Sequence, residues 1–120
     1  MTGTYYAAAE LSRRGFIVSM TSRNAKGIDL FASAHDAKKP FAVQVKTTTY
    51  KQNWWLVDKK PFSSTNLIYI FVRLSNEKPD FYIVASKRIS KEVQHKKYGK
   101  AYWHWFYAEE SDKDNLELFN

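Results

Sequence analysis

The stretch FAVQVKTT, residues 41–48, constrains the chain most. Phe41, Val43 and Val45 alternate with Ala42, Gln44 and Lys46, the period of a half-buried strand. Successive side chains leave a strand on opposite faces. The Phe/Val/Val row therefore suits a core, while the other row aims an amide and an ammonium to one side, one pleat apart. Any fold that accepts this strand has to place Gln44 and Lys46 together.

The rest of the chain supplies elements on both sides of it. Residues 2–14 (TGTYYAAAELSRR) read as a helix, with Thr2 or Thr4 as its cap, three alanines favouring it and Gly15 as its stop. FIVSM (16–20) reads as an apolar strand, TSRNAKG as a polar turn, and IDLFASA (28–34) as a second strand with Asp29 among apolar neighbours. HDAKKP is short enough to join that strand to FAVQVKTT as an antiparallel hairpin. A polar, ring-rich excursion follows over 49–66. LIYIFVRL (67–74) is the strongest strand, and FYIVA (81–85) is another. SKRISKEVQHKKYGK (86–100) reads as a short basic helix capped by Ser86 or Ser90 and ended near Gly99. AYWHWFYA (101–108) is β-prone, and DKDNLELF reads as a closing helical turn. A helix first and strands clustered after it predict an α/β fold, an α+β sandwich around one mixed central sheet flanked by helices. The length of 120 residues, without repeat or linker, predicts one domain over 1–120.

Charge and composition narrow the function. The formal net charge is +7 and hydrophobic residues make up 44% of the chain, enough for a core. A basic excess of this size points to a polyanionic partner, nucleic acid before an anionic membrane. The chain has no cysteine, which excludes disulfides, thiolate metal sites and cysteine nucleophiles. The sequence shows neither a signal-peptide pattern nor an apolar run of the ~20 residues that span a bilayer. The expectation is a cytoplasmic protein.

If the two strands around HDAKKP pair, Asp29 comes near Gln44 and Lys46, because facing side chains on paired strands lie within about 5.5 Å. A carboxylate and an amide oxygen are hard ligands suited to Mg²⁺ or Mn²⁺. A nearby ammonium contacts phosphate, stabilises developing charge or orients a water. Glu10 is the candidate second carboxylate. It lies roughly 60° from Ala7 and roughly 100° from Leu11 around the helix, at the edge of the buried stripe. Arg13 and Arg14 follow it and are candidates for phosphate. The plainer alternatives are an Asp29 bonded to its own turn, a solvent-facing Gln44 and Lys46, and a Glu10 paired with Arg13 or Arg14.

The segments GTYYAAAELSRRGFIV, KGIDLFA and FAVQVKTT, in that order over Gly3 to Thr48, resemble the PD-(D/E)XK nuclease superfamily, which includes many restriction enzymes and Holliday-junction resolvases. In that family a helix carries a Glu, a strand an Asp, and the next strand (D/E)-x-Lys. The resemblance assigns these roles to Glu10, Asp29, Gln44 and Lys46, with Asp29, Gln44 and Glu10 as metal ligands. It implies an αβββαβ-like, restriction-endonuclease-like fold and a Mg²⁺- or Mn²⁺-dependent endonuclease acting on DNA, with a homodimer expected by analogy. Two departures stand out. Ile28 replaces the proline before Asp29, and Gln44 replaces the acidic residue before x-Lys. Certain intron-encoded endonucleases are similar in having Q-x-K. The alternative kept beside it is a catalytically silent nucleic-acid-binding module of the same fold. A third is an adaptor that uses its aromatic surface to bind protein.

Among the remaining features, Lys87, Arg88, Lys96 and Lys97 form the candidate phosphate-tracking face of the basic segment. Trp54 and Trp55 either stack on bases or cover the core, and WHWFY is either a core strand or a base platform. The three histidines have no metal-ligand spacing.

Overall fold

The structure is a computed structural model and describes residues 2–21, 27–34, 39–58 and 63–119. It opens with helix α1 (Thr2–Arg13), followed by strands β1 (Ile17–Met20), β2 (Leu30–Ser33), β3 (Phe41–Thr48), β4 (Trp54–Leu56), β5 (Leu67–Arg73) and β6 (Asp80–Ala85). Helix α2 (Ser86–Glu92), strands β7 (Gln94–Tyr98) and β8 (Ala101–Tyr107), and two 3-10 turns (Glu110–Asp112 and Leu116–Phe119) complete it. Helix α1 stops where Gly15 takes φ 91°, and the Phe16 N–H donates back to the Leu11 carbonyl at 3.0 Å.

Five strands form a mixed sheet in the order β1-β2-β3-β5-β6, with β3 and β5 parallel and the other pairs antiparallel. The expected mixed central sheet flanked by helices is the one observed. Strand β5 lies inside it and is covered on both faces, which is why LIYIFVRL reads as an unbroken apolar run. Ile68, Ile70 and Val72 face α1 and pack with Ala7, Leu11, Val43 and Phe119. Tyr69 and Phe71 face the other way and pack with Trp55, Phe106 and Ile89. Each large side chain so enclosed contributes about 1.5–3 kcal/mol relative to exposure. Helix α1 starts close against β3: a Cβ added to Gly3 would collide with Thr47 Oγ1, so glycine permits the approach.

The layer beyond Tyr69 and Phe71 differs from expectation. Residues 94–98, read as the end of a basic helix, form β7. Helix α2 ends at Glu92, Val93 turns extended (φ −60°, ψ 134°), and Gly99 at φ 61° closes a hairpin with β8. The aromatic β8 offers an unpaired edge, and the ladder it forms outweighs the weak helical preference of QHKKY. The excursion over 49–66 contains β4, which pairs with β8, so β4-β8-β7 make a second, three-stranded sheet. The closing helical turn is two 3-10 turns separated by Lys113 to Asn115. The greater part of the TSRNAKG turn and of the HDAKKP loop, with His35, lies outside the described residues. Among the described residues no helix is long and apolar enough to cross a membrane.

Candidate active site

The site is built where β2 meets β3. The β2–β3 ladder runs from Ala32↔Phe41 to Leu30↔Val43, and Asp29 continues it with its side chain. The Asp29 N–H donates to the Val43 carbonyl at 2.8 Å, and the Val45 N–H donates to Asp29 Oδ2 at 2.7 Å. Asp29 thus brackets Gln44, and its carboxylate is fixed beside the residue that precedes Lys46. A backbone N–H on a carboxylate is a charge-assisted bond, which holds the group in place.

Gln44 is buried, and a buried amide needs partners. Its neighbour across the parallel ladder is Tyr69, itself fully enclosed. With the amide oriented to satisfy its surroundings, its nitrogen donates to Tyr69 Oη at 2.9 Å and to the Gly27 carbonyl at 3.2 Å. Its oxygen then accepts from Lys46 Nζ at 3.2 Å. Burial pushes the Tyr69 phenol up to about 12, with the Asp58 carboxylate adding to it, so the hydroxyl stays protonated. Lys46 Nζ also lies 3.8 Å from Asp58 Oδ1. Lys46 opens onto a groove of about 400 Å³ lined further by Thr48, Gln52, Trp54 and Trp103. Of the three groups, Lys46 lines the groove, the Gln44 amide oxygen contacts its ammonium, and the Asp29 carboxylate is tied to the backbone of the same strand at Val45.

Glu10 is not brought to this cluster. It borders a small cavity with Ala7, Leu11, Ile70, Phe81 and Ile83, on the α1 face of the sheet, whereas Gln44 and Tyr69 lie on the other face. Arg13 holds it with bonds of 2.5–3.0 Å, and Arg14 lies 3.7 Å away. The hydrogen bond from Arg13 holds the Glu10 carboxyl below the usual carboxylate range. The plainer sequence alternative, an intrahelical ion pair, describes Glu10 as the structure places it.

The candidate phosphate ligands also separate. Lys87 on α2 and Lys96 and Lys97 on β7 are exposed, and among the described residues no carboxylate pairs with them. Arg88 is engaged instead. Its guanidinium forks onto the buried Asp112 at 2.5 and 2.9 Å, bonds Glu92 at 3.0 Å, and lies 5.4 Å from the centre of the Phe106 ring. Arg88→Ala would strand the Asp112 carboxylate with the Glu109 N–H as its remaining bond. Breaking a buried pair costs about 3–5 kcal/mol, and the half-open guanidinium brings the expectation to about 2–3 kcal/mol. A urea unfolding curve measures it. Arg88→Met with Asp112→Asn is expected to recover most of the loss.

Sequence reasoning missed Tyr69 and Asp58. Tyr69 is the single hydroxyl in an apolar strand, a signal that its Oη has a buried partner. Asp58 carried no such signal, because it follows the short β4. His95 and His104, nine residues apart, face each other across β7–β8 with Nδ1 atoms 2.5 Å apart. Among the described residues no group of three or more His, Cys, Asp or Glu side chains gathers as a metal cluster.

No family model matches the sequence, and no curated protein matches it. Among solved structures the chain is similar to a bacterial homing endonuclease, I-Ssp6803I, at 16% identity and a TM-score of 0.55, over 98% of this chain and 85% of that one. At this identity the likeness is one of fold: the chain has the mixed-sheet architecture of that endonuclease over nearly its whole length.

Proposed function

We propose that the protein is a metal-dependent endonuclease of the PD-(D/E)XK type that hydrolyses phosphodiester bonds in DNA. The observation that carries this reading is the contact of Gln44 with Lys46 beside an Asp29 carboxylate fixed to the same strand. The fold shared with a homing endonuclease supports it.

The donor set fits a hydrated divalent ion. Asp29 Oδ1 is the oxygen not taken by Val45, and the Gln44 amide oxygen already points at a cation, the Lys46 ammonium. Mg²⁺ keeps several waters and is commonly bound through one or two carboxylates plus substrate phosphates, so Asp29 would be its anionic ligand, with the Gln44 oxygen and the DNA phosphate completing the set. Such an ion supplies an acidified water and offsets phosphate charge. The remaining work falls to the chain. Tyr69 and Gly27 orient the Gln44 amide so that its oxygen faces the groove side of the sheet. Lys46 leaves the amide to contact the phosphate or the attacking water, stabilising negative charge as it develops. Asp58, 3.8 Å from the ammonium, holds Lys46 near the site. Glu10 has no part in this arrangement. Lys87, Lys96 and Lys97 hold the DNA backbone electrostatically.

The test is nicking of supercoiled plasmid in Mg²⁺ or Mn²⁺, with chelator as control. Nicking that chelator abolishes is expected. Metal-independent DNA binding without nicking would instead support the silent module, the reading that Gln44 in place of a carboxylate favours. In either case binding should weaken steeply with salt, the log–log slope being about −0.9 per phosphate contacted. Lys96→Ala should flatten that slope by about one unit.

A further inference from the structure

We propose that the outer face of the β4-β8-β7 sheet is a stacking platform for unpaired bases of DNA, placed beside the cleavage groove. The proposal rests on the nuclease reading for its choice of DNA as the partner.

Strand alternation divides the aromatic residues of this sheet into two sets. Trp55 and Phe106 turn inward and are fully buried. Trp54, Trp103, Trp105 and Tyr107 turn outward and, with Tyr98, line a groove of about 470 Å³. Trp103, Tyr107 and Tyr98 are each about half exposed. Rings left in water at this density on one face mark a binding surface. Flat rings separated along a groove suit bases, which stack on them irrespective of sequence.

The charges choose the occupant. The register puts Lys96 on the outward face opposite Trp103, with its ammonium 5.1 Å from the centre of the Tyr98 ring. Lys100 is exposed at the hairpin turn, whereas Lys97 takes the opposite face, 5.6 Å from the centre of the Tyr102 ring. The strand positions that share the outward face contribute no carboxylate. A second copy of the face would bring like charges together, whereas a phosphate backbone meets cations beside the rings. The groove is also continuous with the site: Trp54 and Trp103 line both it and the groove into which Lys46 opens. A base seated on Trp103 is therefore a short step along the strand from Lys46. The substrate class this implies is DNA with single-stranded or displaced nucleotides next to the cleaved bond.

The experiment is titration of the protein with a single-stranded oligothymidylate of about 12 nucleotides, in chelator, read by tryptophan fluorescence. Quenching is expected, with affinity above that for a blunt duplex of equal length at the same salt. Trp103→Ala should weaken binding about tenfold and Trp103→Phe about twofold or less. Tyr5→Ala, on exposed α1, should leave it unchanged. Equal affinity for duplex and single strand, or an unchanged Trp103→Ala, would overturn the platform. So would a wild-type dimer in sedimentation that Trp103→Ala converts to monomer, since the face would then be a self-interface. Plasmid nicking without preference for the single strand removes the platform and leaves the nuclease reading. Single-strand binding through Trp103 without nicking upholds the platform and removes the nuclease reading.

Discussion

Lys46→Ala is expected to lower cleavage at least about 10²-fold while leaving Mn²⁺ binding and DNA binding near wild type. The ammonium contacts the Gln44 oxygen, and it stands at the groove wall where a phosphate would lie. It holds no metal, so its loss removes charge stabilisation rather than the ligand set. Lys46 is partly exposed on the strand and packs in neither core cluster, which keeps the stability cost small. Lys46→Arg tests geometry against charge. The planar guanidinium keeps the charge but cannot occupy the position of a compact ammonium, so activity should remain depressed. Single-turnover nicking with parallel Mn²⁺ calorimetry separates these effects. Loss of metal binding in Lys46→Ala would mean that the lysine organises the ligands.

Trp55→Ala is expected to destabilise the fold by about 3–5 kcal/mol, enough to unfold a marginal domain. Trp55 is fully buried, its indole N–H donates to the Val72 carbonyl at 3.0 Å, and its ring lies 5.1 Å from Phe71 and 5.3 Å from Tyr82. The indole locks the three-stranded sheet onto the central one. Its removal opens a cavity between them and takes away the hydrogen bond from the indole to the Val72 carbonyl. Trp54→Ala, one residue away on the outward face, should cost well under 1 kcal/mol. Denaturant unfolding of the two variants side by side measures the contrast. Equal losses would show that the division of the WW pair between core and surface is wrong.

That division shows where the sequence was legible. Strands with clean alternation or continuous apolar character, such as FAVQVKTT and LIYIFVRL, can be read because burial on one face or two leaves a local pattern. Strand β3 occupies the residues expected of it, 41–48. The meeting of Asp29 with the Gln44/Lys46 strand follows from the short HDAKKP connection, which permits an antiparallel neighbour and little else. Strand β4 is only three residues long and carries no period. Strand β7 is fully exposed, so its residues carry no hydrophobic signal, and only its partner β8 makes it a strand. Glu10 illustrates a different limit. Its angle around α1 puts it at the border of the buried stripe, but a stripe has two borders. Which one looks toward β3 depends on how the helix crosses the sheet, and this structure turns Glu10 toward Ile83 and Phe81. Tyr69 and Asp58 reach the site through long-range pairing, β3 with β5 and β4 with β8, that no local pattern specifies.

The ligand roles lead to opposite expectations for two neighbouring positions. Asp29→Ala removes the carboxylate that the β3 backbone holds at Val45. Gln44→Glu replaces a neutral amide with an anion next to Lys46, and an ion–ion attraction exceeds an ion–dipole one. The most direct measurement is Mn²⁺ calorimetry, paired with plasmid nicking, on wild type, Asp29→Ala, Gln44→Glu and Glu10→Gln. Asp29→Ala should lose both metal binding and nicking, Gln44→Glu should bind Mn²⁺ more tightly, and Glu10→Gln should match wild type. Unchanged metal binding and cleavage in Asp29→Ala would contradict the site.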